Sequence, residues 1–288
     1  MTDEELKSSI MESRRTGDLQ QSYDNPGWIG VGVPSVSRII RRWITKVRES
    51  GKAAHLRTAV NASVEAAADL WTFHLRRGKN VRCPCCGWKG PGFVATSNWR
   101  AVSFNSKCPS CDSRSRHRGL VGLLPRVVDK VGGGDVLVFA PERVVVEQLS
   151  RWPALNIVTT DLYSHDVDMP AEDIQYLKME DSTYALIVCN HVLEHVEEDE
   201  LALAECCRVL RGGGVAIFTV PGDFDKRDTW IFDSPDDNGH FRHYGMDFVE
   251  RLQESFEKVE AVDLAQVAET TWKVRPHDYA FVCSKAEG

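Results

Sequence analysis

Four cysteines have the spacing of a metal site. They form two Cys-x2-Cys pairs, Cys83 with Cys86 and Cys108 with Cys111, and 21 residues separate the pairs. Zn2+ binds four thiolates as a tetrahedron, and each Cys-x2-Cys turn supplies two of them. Because four protein ligands close such a site, we predict that the zinc is structural rather than catalytic. Cys85 lies inside the first pair and is an alternative ligand to Cys83 or Cys86.

A second group of side chains suited to chemistry comes directly after an apolar run. His191, Glu194 and His195 are spaced i, i+3 and i+4, which places them on one face if the segment is helical. His240 and His243 follow later, in the segment NGHFRHYG. Imidazole groups move protons near neutral pH, and imidazole and carboxylate groups both bind metal ions. These residues therefore mark a candidate reaction site.

The scaffold that positions this group is predicted by residues 180–221. Continuous apolar runs at 185–190 and 215–220 are typical of strands buried on both faces of a parallel sheet. Between them, glycines at 212–214 are expected to stop a helix. Its apolar residues recur at helical spacing: Leu201, Ala204, Cys207 and Leu210. The pattern is a βαβ unit with the histidine–glutamate group at the carboxyl end of its first strand, the edge where open α/β sheets bind ligands.

At this point the chain resembles the class I S-adenosylmethionine-dependent methyltransferases. Their fourth strand, helix and fifth strand carry a similar pattern: apolar strand, VLEHV, E-x-x-RVL-x-GG, apolar strand. Residues 83–118, with CPxCG, CPxC and RHR, resemble a zinc-ribbon extension found before the catalytic domain of some bacterial methyltransferases. The resemblance covers about 200 of the 288 residues, from Cys83 to the last predicted strand.

The resemblance implies a Rossmann-like class I methyltransferase sheet with helices on both faces, an α/β fold preceded by a helical extension and a small zinc ribbon. We predict three domains: a helical extension at 1–80, a zinc ribbon at 81–118 and a methyltransferase domain at 119–288. Seven strands are expected, at 136–140, 156–160, near 167–172, at 185–190, at 215–220, near 257–263 and near 279–284.

The resemblance also implies where S-adenosylmethionine binds. The turn after the first strand, 139–142, contains Ala140 where the family usually has glycine. Pro141 fits the first turn of the next helix. Glu142 either binds the ammonium group of the cofactor or is a helix N-terminal charge that the macrodipole favours.

Two acidic residues complete the implied cofactor site. Asp161 lies 22 residues beyond Phe139, which suits a carboxylate that accepts hydrogen bonds from ribose hydroxyls. Asp173 occupies the position at which the family places an acidic residue near the adenine amino group. The full implied set is Ala140, Pro141, Glu142, Asp161, Leu162, Asp173, Ile174, Asn190 and His191, the last two at the sulfur end of the cofactor.

Three interpretations of the reacting end stay open. In one, His195 or His243 is a general base, so the predicted catalytic set is His191, His195 and His243. In another, His191, Glu194, His195 and a later histidine hold a second divalent metal ion that orients a substrate oxygen, which resembles the E-x-x-E-H…H sites of some O-methyltransferases. In the third, Glu194 and His195 only cap a helix and bond to a loop.

Charge is unevenly distributed along the chain. Residues 38–118 contain 17 Lys and Arg against four acidic residues, a net charge of +13, so the remainder must carry −20 of the overall −7. Such a segment is either a basic surface for nucleic acid or a cationic module that complements an acidic domain of the same chain. We favour the second, which makes RNA methylation an alternative to our main prediction.

The predicted function is methyl transfer to an oxygen or nitrogen of a small molecule of natural-product or saccharide type, a biosynthetic reaction. The alternatives are RNA methylation and, because the cofactor turn lacks glycine, a catalytically degenerate binding protein.

No apolar stretch approaches the roughly 18 residues that span a bilayer. Nine cysteines argue for metal or free thiols, and we expect a cytoplasmic protein. The apolar faces of the N-terminal helices need burial, so we expect these helices either to cover an active site or to mediate a homodimer.

Overall fold

The structure is a computed structural model that describes residues 33–49, 55–75, 78, 80–98 and 101–287. The predicted helical extension before residue 33 lies outside these residues. The described chain divides into two compact units, one formed by 33–122 with 267–275 and the other by 123–266 with 276–287. The predicted boundaries at 80 and 118 stay predictions. None of the described helices is long and apolar enough to cross a membrane.

The first unit contains two helices and two short antiparallel hairpins. Its elements, together with the helix that follows, are α1 (Val36–Glu49), α2 (His55–Leu70) continued by a π-helical turn (Trp71–Leu75), β1 (Val81–Arg82), β2 (Lys89–Gly90), β3 (Val94–Ser97), β4 (Val102–Lys107) and α3 (Ser115–Val131). Strands β1 and β2 form one hairpin, and β3 and β4 form the other. A 3-10 turn at Thr270–Trp272 belongs to the same unit.

The buried face of α2 carries two carboxylates as well as apolar residues. Glu65 accepts hydrogen bonds at 2.7 Å from both Arg42 and Lys46 of α1. Asp69 accepts the backbone N–H of Ala95, in β3, at 2.8 Å. Charged groups are buried only where they find such partners. Part of the positive charge of the basic segment is therefore neutralised inside this unit.

The second unit is built on a seven-stranded sheet. Its elements in chain order are β5 (Gly134–Phe139), α4 (Arg143–Leu149), β6 (Leu155–Asp161), β7 (Met169–Pro170), β8 (Tyr184–Asn190), a 3-10 turn (Leu193–His195), α5 (Asp199–Val209), β9 (Leu210–Thr219), β10 (Trp230–Ile231), β11 (Arg242–His243), α6 (Phe248–Ser255), β12 (Lys258–Asp263) and β13 (Tyr279–Ser284). Each of the seven predicted strands corresponds to one of β5–β9, β12 and β13.

The strand order of this sheet confirms the predicted fold class. The order is β12-β13-β9-β8-β5-β6-β7, with β5 to β9 parallel and β13 antiparallel to both of its neighbours. β5 lies between β6 and β8, so the order reverses there, which is the switch point at which doubly wound sheets bind ligands. All seven residues of β8 are buried, as its continuous apolar sequence predicts.

The predicted apolar face of the helix between β8 and β9 is wrong. The buried residues of α5 are Asp199, Ala202, Leu203, Cys206 and Val209, whereas Leu201 and Ala204 are exposed. Small and apolar residues fill both sides of this helix, so spacing alone does not determine which side faces the core. The side that faces the core also carries Asp199, whose charged contact is described below.

The three glycines do not stop this helix. It ends at Val209, and residues 212–214 lie within the first half of β9, where the pairing with β8 shifts register between Tyr184 and Leu186. Gly213 has φ +67°, which a glycine adopts without strain. The glycines therefore form an irregularity at the start of the strand.

Candidate active site and metal centre

Three turns leave the carboxyl edge of the sheet in the same unusual conformation. Ala140, Ala171 and His191 directly follow β5, β7 and β8, and their φ angles are +43°, +60° and +53°. Each donates its backbone N–H to the neighbouring strand at 2.8 to 2.9 Å before the chain turns away. Non-glycine residues rarely adopt positive φ, and such strain concentrates at ligand sites. The turn that lacks glycine is therefore made by Ala140 in a glycine-like conformation.

Asp161 is the last residue of β6 and lies at the same edge. Its Oδ1 accepts the backbone N–H groups of Tyr163 and Ser164, both at 2.7 Å. No described residue donates to its Oδ2. The neighbouring Leu162 is 41% exposed, which leaves an apolar surface beside the carboxylate. One oxygen of Asp161 thus orders the loop while the other can accept from a ligand.

The remaining predicted cofactor residues lie in loops at this edge. Helix α4 begins at Arg143 with Glu142 as its N-cap, so Pro141 precedes the helix and does not begin it, contrary to the prediction. Asp173 accepts the backbone N–H of Gln175 at 2.9 Å and so stabilises its own loop. Ile174 beside it is buried.

Asn190 joins the ends of two strands. Its Oδ1 accepts a hydrogen bond at 3.0 Å from the hydroxyl of Thr219, the last residue of β9. The backbone carbonyl of Thr219 accepts from His191 at 2.8 Å. The turn that carries His191 is therefore held to the sheet by both a side chain and the backbone.

The structure brings Glu194 and His195 together with a later histidine. That residue is His240, whereas His243 was predicted to be catalytic. Glu194, His195 and His240 each place one ligand atom within 4.8 Å of the others. The rings of His195 and His240 meet edge-on with centroids 4.7 Å apart. His191 Nδ1 lies 3.0 Å from Glu194 Oε1. His243 lies on β11, where it pairs with Trp230 of β10, and its catalytic role stays a prediction.

Glu194 is fully buried, and its neighbours lower the pKa of its carboxyl group. Burial alone raises the pKa of its carboxyl group, but the charge and hydrogen bond of His191, with a contribution from His195, hold the pKa below its usual value. The same balance applies to Asp236, where burial opposes the backbone N–H groups of His240 and Asn238 and the net pKa is lowered. Neighbouring groups therefore lower the pKa of both carboxyl groups.

The loop that carries His240 and His243 is anchored by residues that sequence analysis missed. The guanidinium of Arg242 pairs with Asp199 at 2.6 Å, and the hydroxyl of Tyr244 donates to the same carboxylate at 3.0 Å. All three side chains are buried. Alternation along the strand then places His243 on the opposite face from its two neighbours. In the sequence, the alternation of residue types in FRHYG is the signal from which these anchoring residues could have been predicted.

The four predicted zinc ligands come together in the first unit. Their sulfur atoms lie within 4.8 Å of one another, with Cys83 to Cys111 at 3.7 Å and Cys86 to Cys108 at 3.8 Å. Zn–S bonds of about 2.3 Å in a tetrahedron require sulfur separations of about 3.8 Å, so the four residues fit one zinc ion. Cys85 is buried and contacts Cys83 and Cys111, but it is not one of the four whose sulfur atoms all lie within 4.8 Å of one another.

Each cysteine pair lies on a tight turn. Gly87 donates its N–H to the carbonyl of Cys83, and Asp112 donates to the carbonyl of Cys108, both at 2.9 Å. Gly87 and Asp112 adopt positive φ, +76° and +61°. The two turns are therefore alike in geometry although only the first has the glycine that favours it.

Arg118 is buried beside this cluster. Its guanidinium donates to five backbone carbonyls: Ser106, Ser113 and Asn105 at 2.8 to 3.1 Å, Trp272 at 2.7 Å and Lys273 at 3.2 Å. It also lies 4.1 Å from the centroid of the Phe93 ring. Burial lowers the pKa of Arg118, and the nearby cysteine thiolates oppose that shift. This arginine of the RHR motif thus joins three segments of the unit.

A protein-family comparison addresses the second unit. Residues 143–218 match the family model described as "Methyltransferase domain". The matched segment runs from α4 through most of β9. It includes Asp161, Asp173, Asn190, His191, Glu194 and His195. It supports S-adenosylmethionine-dependent methyl transfer on a class I fold. No curated protein matches this sequence.

Solved structures with a similar chain path include several methyltransferases. A SAM-dependent methyltransferase from Archaeoglobus fulgidus is 16% identical, with a TM-score of 0.42 over 59% of this chain and 94% of that one. A putative methyltransferase from Bacillus halodurans is 13% identical, with a TM-score of 0.41 over 58% and 98%. The Burkholderia thailandensis 1,6-didemethyltoxoflavin-N1-methyltransferase is 14% identical, with a TM-score of 0.42 over 60% and 79%.

Proposed function

We propose that this protein transfers a methyl group from S-adenosylmethionine to an oxygen or nitrogen of a small molecule. The observation that carries the proposal is Asp161, whose Oδ2 has no donor among the described residues, at the switch-point edge of a sheet that matches a methyltransferase domain. When bound, S-adenosylmethionine supplies its methyl carbon, whose bond to sulfur breaks as the acceptor atom bonds to it, and the acceptor loses a proton.

The cofactor is assigned to the turns at the sheet edge. Asp161 accepts the ribose hydroxyls, and Leu162 contacts the adenine with its exposed side chain. Asp173 and Ile174 lie near the adenine amino group. At the other end, the residues nearest the sulfur are Ala140, Pro141, Glu142, Asn190 and His191. The strained turns fit this assignment because positive φ turns the backbone toward a ligand.

The acceptor is assigned to the loop from 222 to 244 together with His191 and His195. This loop follows β9, and the backbone N–H of Phe241 donates to the carbonyl of Glu194 at 2.7 Å. His191, His195 and His243 act on the acceptor, orienting it or accepting its proton. The buried pair of Arg242 with Asp199 holds the loop in place.

A structural zinc ion is part of the proposal. Cys83, Cys86, Cys108 and Cys111 would hold it as four thiolates, and Arg118 would offset part of the resulting negative charge. The sulfur separations support this assignment. The ion would stabilise the fold of the first unit and take no part in methyl transfer.

Calorimetry with S-adenosylhomocysteine tests the cofactor site directly. The wild-type protein should bind it, and Asp161→Ala should weaken binding by about 1–3 kcal/mol because the ribose hydroxyls lose their acceptor. Asp135→Ala is the matched control, since Asp135 accepts one hydrogen bond from Asn156 at the opposite edge of the same sheet. Folded wild-type protein that fails to bind at millimolar ligand would contradict the proposal.

The alternatives differ in measurable ways. RNA methylation needs exposed cations, whereas Arg42, Lys46, Lys107 and Arg118 of the basic segment are paired or buried within the first unit. A degenerate binding protein would bind the cofactor without consuming it.

The expected homodimer through α1 and α2 stays a prediction. Sedimentation of the wild type against Val60→Glu, an exposed apolar residue of α2, tests it.

A further inference from the structure

Three ligand-type side chains converge where the 3-10 turn after β8 meets the loop before β11. The N–H of Phe241 donates to the carbonyl of Glu194 at 2.7 Å, which draws the loop onto the turn. His240 then lies against His195, and the ligand atoms of Glu194, His195 and His240 fall within 4.8 Å of one another. Small side-chain rotations can bring three such atoms onto one ion that binds each at about 2.1 Å.

Each histidine is oriented by a partner at its Nδ1. His195 Nδ1 lies 3.1 Å from the carbonyl oxygen of Gly239, which can only accept, so Nδ1 carries the proton and Nε2 the lone pair. His240 Nδ1 lies 3.8 Å from the carboxylate of Asp236, an ion-pair distance longer than a hydrogen bond. Histidines that bind metals in proteins have this arrangement, with one ring nitrogen held by a carbonyl or carboxylate and the other on the ion.

Glu194 presents an oxygen that the fold leaves unused. Oε1 lies 3.0 Å from His191 Nδ1. Oε2 is buried and has no hydrogen-bond partner among the described residues. A buried carboxylate oxygen without a donor costs free energy comparable to a lost charged hydrogen bond. A cation bound to Oε2 would remove that cost.

We propose that Glu194 Oε2, His195 Nε2 and His240 Nε2 bind one divalent transition-metal ion, with His191 and Asp236 as positioning residues. Two imidazoles with one carboxylate favour Mn2+, Fe2+, Co2+ or Zn2+ over Mg2+ and Ca2+. Three protein ligands leave coordination positions open, unlike the four-cysteine cluster. The assignment makes His191 a support of Glu194 rather than a ligand.

The open positions indicate the class of acceptor, a step that rests on the proposed function. A hydroxyl group bound to such an ion has a lowered pKa, so its O–H bond breaks and the proton leaves to water. The remaining oxygen anion is the nucleophile for methyl transfer. The site therefore favours acceptors that carry a hydroxyl group able to reach the ion, and oxygen over nitrogen methylation.

Manganese titration of the full-length protein carrying one zinc ion per chain, in the four-cysteine cluster alone, is followed by electron paramagnetic resonance and tests the site without any acceptor. Mn2+ is the weakest of the divalent series and does not displace zinc from thiolates. Wild type should bind one Mn2+ per chain, and Glu194→Gln and His240→Gln should bind about tenfold more weakly or worse. His277→Gln, at an exposed histidine 3.2 Å from Asp225, is the matched control and should bind as wild type does.

Asp236→Asn tests the positioning role and should weaken manganese binding by about tenfold. Circular dichroism and zinc content of every variant show whether it is folded. Absence of manganese binding by wild type, or equal binding by folded Glu194→Gln, would overturn the ion site. Failure of S-adenosylhomocysteine to bind would instead contradict the proposed function and leave the manganese result standing.

Discussion

At the scale of single residues, Ala140 shows how this chain makes the turn after β5, the proposed cofactor turn, without glycine. A left-handed conformation costs an L-residue roughly 1–2 kcal/mol, because its Cβ lies too close to the following carbonyl oxygen. Alanine has the smallest side chain that contains a Cβ. Its neighbour across the sheet edge, His191, has the same feature at φ +53°. A glycine-free turn therefore does not make the site degenerate, because the backbone adopts the conformation that glycine favours.

Substitutions at Ala140 test this account. Ala140→Gly should leave both the melting temperature and the affinity for S-adenosylhomocysteine close to wild type, because relief of strain offsets the added chain entropy of glycine. Ala140→Val should lower both, since a β-branched residue is an outlier at positive φ. Thermal denaturation and calorimetry measure the two quantities. If Ala140→Val matches wild type in both, the turn has no special conformational requirement.

His195 distinguishes an ion ligand from a general base. His195→Ala should cut turnover, measured as release of S-adenosylhomocysteine, and leave the affinity for that product nearly unchanged, because the proposal assigns this residue to the acceptor and not to the cofactor. If His195 is an ion ligand, raising the pH should not restore the rate. If it is a general base, the rate should partly recover at higher pH, where the acceptor ionises without help.

At the scale of elements, the two turns that carry the cysteine pairs (here called the zinc turns, 83–87 and 108–112) and the strands were predictable because their signals are local. The Cys-x2-Cys spacing and the apolar runs of β8 and β9 each lie within a few residues, and the structure has them close to the predicted positions. What the sequence could not supply depends on distant contacts. The buried side of α5 carries the bond of Asp199 to Arg242, and the choice of His240 as the neighbour of His195 follows from the loop anchored at Phe241.

The zinc turns lead to a test of ligand identity. Cys108→Ser should lower zinc content well below one per chain and reduce the melting temperature, since the ion is a source of folding free energy for this unit. Cys85→Ser is the matched control, because this buried cysteine lies outside the four-sulfur group, and it should keep one zinc ion. Full zinc content in Cys108→Ser would show that Cys85 or another site supplies the fourth ligand.

The buried carboxyl group of Asp69, in α2, makes the stability of the first unit depend on pH. Burial raises the pKa of Asp69 to about 7 from an ordinary value near 3.8, with Ala95 and Arg42 opposing the shift. The folded chain thus keeps a proton that the unfolded chain loses between about pH 4 and 7. By linkage, the stability that this proton contributes is complete below about pH 4 and is lost as the pH rises through 7.

Asp69→Asn should remove this dependence, because the amide oxygen can still accept from Ala95. Relative to wild type, the variant should gain roughly 1–3 kcal/mol in free energy of unfolding between pH 5 and pH 8. Urea denaturation at both values measures the difference. Glu269→Gln, at an exposed acid of the same unit, should show no such gain. Equal shifts in both variants would place the pKa of Asp69 near its ordinary value.

At the scale of the whole molecule, the chain returns late to the first unit. Residues 267–275 belong with 33–122, although the intervening 123–266 form the other unit. Arg118 donates to the carbonyls of Trp272 and Lys273, and Arg275 donates its N–H to Ser115 at 2.8 Å. A Cβ at Gly122 would lie 2.3 Å from the carbonyl oxygen of Val267, so glycine is needed for this close approach.

Removal of zinc should therefore loosen two segments that are distant in sequence. After chelation, hydrogen exchange should accelerate in 83–118 and also in 267–275, because Arg118 links the second segment to the cysteine turns. The amides of β8 should stay protected, since that strand is buried in the other unit. Arg118→Lys should accelerate exchange in 267–275 while zinc is retained, as lysine keeps the charge but loses the planar set of donors. If chelation instead exposes β8 as much as 267–275, the two units unfold together, and the late segment has no special link to the zinc turns.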